Sequence, residues 1–475
     1  MISQIINYEF KLLKIELRII VIIFSLALLF SFANSSYKLN QYKSVFENIS
    51  STEQKRFSDL KNDAHNTEQE MIKNKEDLTT NRTGPRSPSN VGNKGLNIMF
   101  TPQDLLILSI GQYDLYTINY TIRNSGRDES IQNTENPLNL LIGNFDPSFV
   151  ILYLYPIFII ILTFDFLSSE RERGILKLLL TQNISLKTLI TAKIISRALI
   201  IFSTVILTSL GGLLIFGNNI FYGTNLLKTL FFFATILVYG SFWFFMCIVI
   251  NLSKNKSQTN ATILSGFWLL FLVIIPSVIN LSASLIYPIP SRIDYLESIN
   301  EAAEEERLKG SKVLGKFMED HPELVNKKID TSKAPILKAI RDDQVNKKIF
   351  PIKEKYNIQI DKQQDFINNF KYFSPAILVQ DILFNLAESG FKSFRDFSEQ
   401  SDKYQKEWRR FFVTKILDTK PVYSKDYDLI PKFIHKSDLN QIITSIIKSL
   451  FYIFSLIAVI YLLIIKSYKK YQFHD

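Results

Sequence analysis

Six apolar runs punctuate the chain, at about 19–33, 148–164, 198–216, 229–250, 261–287 and 449–465. A helix needs roughly 20 apolar residues to cross the hydrocarbon core of a bilayer, so each run is a predicted membrane span. The first and last are short, and Arg18 and Lys448 extend them by carrying their charges to the interface. No span has an ionisable residue at its centre, which argues against a proton relay. Ser203, Thr204, Thr208, Ser209, Tyr239, Ser265 and Asn280 are polar groups of the kind that join helices. Gly211-Gly212 and Pro276 read as packing and kink positions.

Two long segments, 34–147 and 288–448, separate spans one from two and five from six. In the first, residues 62–93 are too polar to pack well and predict a helix tail followed by a loop. Alternating apolar positions over Leu105–Ile122 predict short strands, so this segment reads as α+β. The second reads as mostly helical, with candidates at Tyr295–Phe317, Ala334–Ile349, Gln363–Phe370, Ala376–Ala387 and Phe391–Phe412. Phe391, Phe394 and Phe397, then Trp408, Phe411 and Phe412, form aromatic stripes suited to a core. The fold class is mainly α: a six-helix transmembrane bundle with two extramembrane segments.

Basic residues in short loops orient such a bundle, because they stay on the cytoplasmic side. Lys11, Lys14 and Arg18 precede span one; Arg171, Arg173, Lys177, Lys187, Lys193 and Arg197 lie between spans two and three. Lys254 and Lys256 fall in the 251–260 loop, and Lys466, Lys469 and Lys470 in the 466–475 tail. The 217–228 loop on the other side has a single Lys. Both termini are therefore expected in the cytoplasm and both long segments outside it. Residues 1–18 carry Ile2, Ile5, Ile6, Phe10, Leu13 and Leu17 opposite Asn7, Lys11, Lys14 and Arg18, the pattern of an amphipathic interfacial helix feeding an uncleaved span. Ser31-Phe32-Ala33 leaves a second reading, a signal peptide with a long charged region.

The 165–197 loop holds the densest chemistry, Phe164 to Leu180. Ser169 and Glu172 have capping-box spacing, which predicts a helix beginning at Glu170. Arg171, Arg173 and Lys177 give it a basic face, and Ile175, Leu176, Leu178, Leu179 and Leu180 an apolar one. Such a helix receives a partner or lies on the membrane; the plainer reading is a solvated charge cluster that only fixes topology.

Other motifs fall away. Gly310-Ser311-Lys312-Val313-Leu314-Gly315-Lys316 has the spacing of a phosphate-binding loop, but Phe317 stands where Ser or Thr must ligate magnesium and no strand precedes it. Asp320-His321-Pro322-Glu323 cannot close a metal site alone, and the chain lacks HExxH or paired Cys; a helix-ending turn fits better. The one Cys, Cys247, excludes an intrachain disulfide, so the long segments need cores of their own. The net charge of +10 is spread over rims and Lys-rich segments, without the basic aromatic face of a nucleic-acid binder. No nucleophile–base set suggests an enzyme, and no resident cofactor or metal is expected.

Several stretches together resemble the permease subunits of ABC-2-type exporters. They are Glu135-Asn136-Pro137-Leu138, Phe145-Asp146, Asp165, Ser169-Glu170-Arg171-Glu172-Arg173-Gly174, Leu178-Leu179-Leu180 and Lys193. The resemblance is to a branch with a large insert between spans five and six, matched by Tyr287 to Arg292, Asp320 to Leu324, Phe373-Ser374-Pro375-Ala376 and Trp408 to Phe412. Ile175 in place of Thr and Ala192 in place of Gly are mild departures. The resemblance implies an ABC-2 bundle in a bacterial inner membrane, a second permease copy or paralogue, and a separate cytoplasmic ABC ATPase that binds the ATP. It assigns Asp165, Ser169, Glu170, Arg171, Glu172, Arg173, Gly174 and Lys177 to the coupling helix that meets that ATPase. It does not name the cargo. The alternative is a non-transporting membrane machine or sensor, driven by the same ATPase and acting on an envelope partner through the long segments.

Overall fold

The computed structural model describes residues 15–80, 82–116, 118–128, 144–174, 186–308 and 333–472. Residues 1–14 of the predicted interfacial helix, Glu135–Leu138, Ile175–Leu180 with Lys177, Gly310–Lys316 and Asp320–Leu324 lie outside the described residues.

Among the described residues six helices are long and apolar enough to cross a membrane, one at each predicted run, as fits a multi-pass membrane protein. They are α1 (Ile15–Lys73), α3 (147–163), α5 (Leu186–Phe216), α6 (Gly223–Leu252), α7 (Ser257–Ile286) and α12 (Leu439–Gln472). Asp146 starts α3 by accepting the Phe149 amide at 2.8 Å, and its other oxygen takes the Ile110 amide at 2.9 Å. Leu207, Leu214, Leu285, Phe451 and Leu462 remain exposed, which suits faces that meet lipid rather than water.

Two spans change their hydrogen-bond register just before a proline. A proline removes an amide donor and leaves a carbonyl in the preceding turn without its helical partner. In α3 a π-helical turn at Val150–Leu154 precedes Pro156, and the Tyr239 hydroxyl donates to the Leu152 carbonyl at 3.1 Å. In α7 the π turn Leu270–Ile274 precedes Pro276, and Ser374 Oγ donates to the Phe271 carbonyl at 2.5 Å. Neighbouring side chains thus replace the lost bonds, as an apolar medium demands. Tyr239 joins two spans as expected, and Pro276 follows a local change of helical register. Thr208 likewise bonds Ser25 of α1 at 3.3 Å, and Gly212 lets α1 and α5 close, since a Cβ there would collide with the Phe32 ring.

At one end of the bundle the two long segments form a head. Helix α1 does not stop at the membrane but runs on as one helix of 59 residues, roughly 90 Å at 1.5 Å per residue. It ends where Lys75 turns left-handed at φ +56° and the Glu76 amide reaches the Met71 carbonyl. Helix α2 (Pro88–Lys94) follows, then an antiparallel sheet of β1 (Leu96–Met99), β2 (Asn119–Arg123) and β3 (Gly126–Asp128), with Leu96 opposite Ile122 and Ile122 opposite Arg127. The expected strands over Leu105–Ile122 are realised only at the end of that stretch, because Asp104–Leu108 buries Leu105 to Leu108 as a 3-10 turn. The second segment supplies α8 (Arg292–Leu308), α9 (Ala334–Phe370), α10 (Pro375–Ala387) and α11 (Phe391–Leu417). Helix α9 joins two predicted helices through Pro351.

The two segments share one main core, beside which the second keeps two small clusters of its own, Ile336, Ala339, Ile340 and Ile416, and Ala302, Ala303, Val345 and Ile349. Trp408 of α11 donates to the Gly92 carbonyl at 3.2 Å, Phe397 packs against Phe100 and Tyr120, and the Val422 amide bonds Arg86 at 2.9 Å. One large cluster of buried side chains runs from the spans through the head, so most of the burial is pooled between the two segments.

Candidate functional site

At the opposite end of the bundle the charged turn is a short helix, α4 (Ser168–Glu172), after the end of α3. The expected capping box is absent. The helix opens at Ser168, not Glu170; Leu167 occupies the capping position, and no side chain caps it. Glu172 turns outward instead, and its Oε1 accepts both the Ser257 amide at 2.6 Å and Ser257 Oγ at 3.1 Å. Ser257 is the first residue of α7, where unpaired amides and the positive end of the helix dipole attract a carboxylate. Two donors across the gap outcompete the single amide behind it.

Glu170 accepts a bond from Lys193 of α5 at 2.6 Å, with the Lys193 side chain buried. Arg171 donates to the Asn255 carbonyl in the 251–256 turn. Ser168 and Ser257 share a hydroxyl bond at 2.9 Å. Asp165 is half-buried at the turn, and its carbonyl accepts the Ser169 amide at 3.1 Å; the Ser169 carbonyl accepts the Arg173 amide at 3.2 Å. Gly174 has φ +72° and open space around it, a position that lets the chain leave the helix. Of the predicted site residues, Asp165 to Gly174 are therefore brought together, and Lys177 is outside the described residues.

Two residues missed by sequence reasoning bind this turn to the bundle. The Asn251 amide donates to the Thr163 carbonyl at 2.9 Å and the Asn260 amide to the Phe164 carbonyl at 3.2 Å, two carbonyls at the end of α3 where the regular helical ladder stops. Both Asn are fully buried. The signal was there to use: two Asn flank the short loop between spans four and five. The loop between spans four and five is thus part of the turn's own support.

The arrangement is a brace. Helix α4 is joined to α3 by the chain, to α5 through Glu170–Lys193, to α7 through Glu172–Ser257, and to the intervening turn through Arg171. Arg173, Lys187, Lys254 and Lys256 point outward as exposed basic groups. Among the described residues no group of His, Cys, Asp or Glu is disposed to hold a metal ion.

Residues 292–436 match a family described as Domain of unknown function (DUF3526), a region that begins with α8 and covers most of the second segment. No curated protein matches the chain. No solved structure matches it.

Proposed function

We propose that the chain is the permease subunit of an ABC-2-type exporter, paired with a second permease copy or paralogue in a bacterial inner membrane and driven by a separate cytoplasmic ABC ATPase. The observation that carries this reading is the braced turn: a force on α4 reaches three spans through short polar contacts, while exposed basic side chains face outward beside it. Glu170 and Lys193, 23 positions apart and both among the residues that resemble the exporter family, meet in one ion pair. The ATPase binds and hydrolyses the ATP, and this chain forms the path. Its lipid contacts are the exposed apolar faces of the spans.

The brace separates contact from transmission, and the test uses that. Arg173→Glu with Lys254→Glu reverses exposed charge and should weaken co-purification of the ATPase by roughly tenfold or more, as loss of complementary charge does. Glu170→Ala breaks the brace: the ATPase should still bind, but its stimulation by the permease in nanodiscs should fall. Gly174→Pro should impair both, since proline cannot adopt φ +72°. If all three variants bound and stimulated the ATPase like the parent, the turn would be a topology signal only. A machine acting on an envelope partner would pass this test yet move no cargo into inverted vesicles.

Orientation has its own expected result. In a Cys247→Ser chain, single cysteines at Asn90 and Lys355 should label with an impermeant maleimide in intact cells, and one at Lys254 should not. All three positions are exposed in the structure. Labelling at Lys254 from outside would reverse the topology.

A further inference from the structure

The head holds an open-sided cavity of about 1840 Å³. Drug-sized ligands occupy roughly 300–1,000 Å³, so this space suits something larger. Its wall begins beside the membrane: Tyr37 and Gln41 lie on α1 just past the first span, and Ile289 and Ile293 lie just past the fifth. Farther in, Leu115, Phe350 and Ile358 continue the apolar wall, with Arg127, Lys353 and Lys406 among the polar groups of the same cavity. These apolar side chains are uncovered: Tyr37 is 65%, Leu115 55%, Phe350 56% and Ile293 76% exposed.

An uncovered apolar wall of this extent marks a binding surface. What covers it follows from where it leads. Phe30 on α1 and Leu281, Leu285 and Ile286 on α7 are also exposed, and they belong to spans whose medium is hydrocarbon. The exposed apolar strip therefore continues from the span faces through Ile289 and Ile293 into the cavity. A hydrocarbon chain can pass along it without entering water, so its methylenes avoid the hydration cost of leaving apolar surroundings. Rigid walls frame the path. Tyr295 of α8 stacks on Tyr356 of α9 with centroids 4.2 Å apart, Tyr116 stacks on Phe394 at 4.3 Å, and Gln363 ties α9 to the Tyr287 carbonyl at the end of α7 at 3.4 Å. At the polar side Arg127 is fixed over the Tyr120 ring, 4.2 Å from its centroid, and donates to Ser398 at 2.9 Å.

We infer that this cavity is a lipid-binding site, taking the acyl chains of a membrane lipid from the adjoining leaflet with the headgroup at the polar end. The inference deepens the export reading by giving the class of cargo, and it rests on that reading only for the direction of travel. Binding is therefore tested without any ATPase.

The full chain is placed in nanodiscs of phosphatidylethanolamine and phosphatidylglycerol containing a small fraction of phosphatidylglycerol with a diazirine in its acyl chain. After photolysis and digestion, adducts should appear on peptides containing Leu115 and Phe350 as well as on the spans. Leu115→Glu with Phe350→Glu should lower the head adducts by roughly tenfold, equal to about 1.4 kcal/mol of lost affinity, and leave the span adducts as an internal standard of insertion. Leu115→Met with Phe350→Leu should retain the head adducts. Adducts confined to the spans of the parent chain would overturn the inference, as would head adducts undiminished by the Glu pair. So would efficient chain-to-chain cross-linking from a cysteine at Phe350 in a Cys247→Ser chain, which would show that a second copy fills the space.

Discussion

Glu388→Met or Lys228→Met should each destabilise the folded chain by about 3–5 kcal/mol, because either leaves an uncompensated charge where water does not reach. Lys228 near the start of α6 and Glu388 after α10 pair at 2.6 Å, with side chains 5% and 2% exposed. The contact joins a span to the helix that plugs the head into the bundle. The double variant Lys228→Met with Glu388→Met should recover most of the loss, since removing both charges removes the desolvation demand. Glu388 also sits at φ +53°, so Glu388→Gly should be milder than Glu388→Ala by about 1 kcal/mol, the relief of left-handed backbone. Thermal unfolding in detergent reads all five proteins. Additive single and double variants would show that the pair is not coupled.

That pair also marks a limit of sequence reading. Lys228 was visible only as the lone basic residue of a short loop, and Glu388 as one more acidic residue in a helical segment; the 160 positions between them hid the contact. The spans were legible because an apolar run of bilayer length has few other stable fates. The charged turn was legible as chemistry but not as geometry. Capping-box spacing is a local signal, and it lost to the amide and hydroxyl of Ser257, 85 positions away, which offered Glu172 two donors. Phe145-Asp146 stood out as a motif, and the structure supplies its use, with Asp146 capping α3 while holding the Ile110 amide. Helix α1 was legible to its first span and in its polar tail near residue 62, but its unbroken course between them is packed against residues more than 300 positions on, such as Phe57 against the buried Trp408 at 6.1 Å between ring centroids.

Trp408→Ala gives the sharpest test of a head built jointly by both segments. Trp408 is wholly buried, with its ring against Phe412 at 4.8 Å within α11 and edge-on to Phe57 of α1 at 6.1 Å. Its indole nitrogen reaches the Gly92 carbonyl in α2. Truncation to alanine removes a large buried volume that helices anchored in the membrane cannot collapse to fill, at about 3–5 kcal/mol. Trp408→Phe keeps much of that volume, and the Gly92 carbonyl still accepts the Asn124 amide at 3.0 Å, so its loss should be nearer 1–2 kcal/mol. The deciding readout is where the loss falls. Hydrogen exchange should quicken not only in α11 but also across residues 50–73 of α1 and in α2, because those elements share the wall that Trp408 fills. Exchange that quickened in α11 alone would mean two independent segments, and the reading of the head as one cooperative unit linked to the spans through α1 would fail with it.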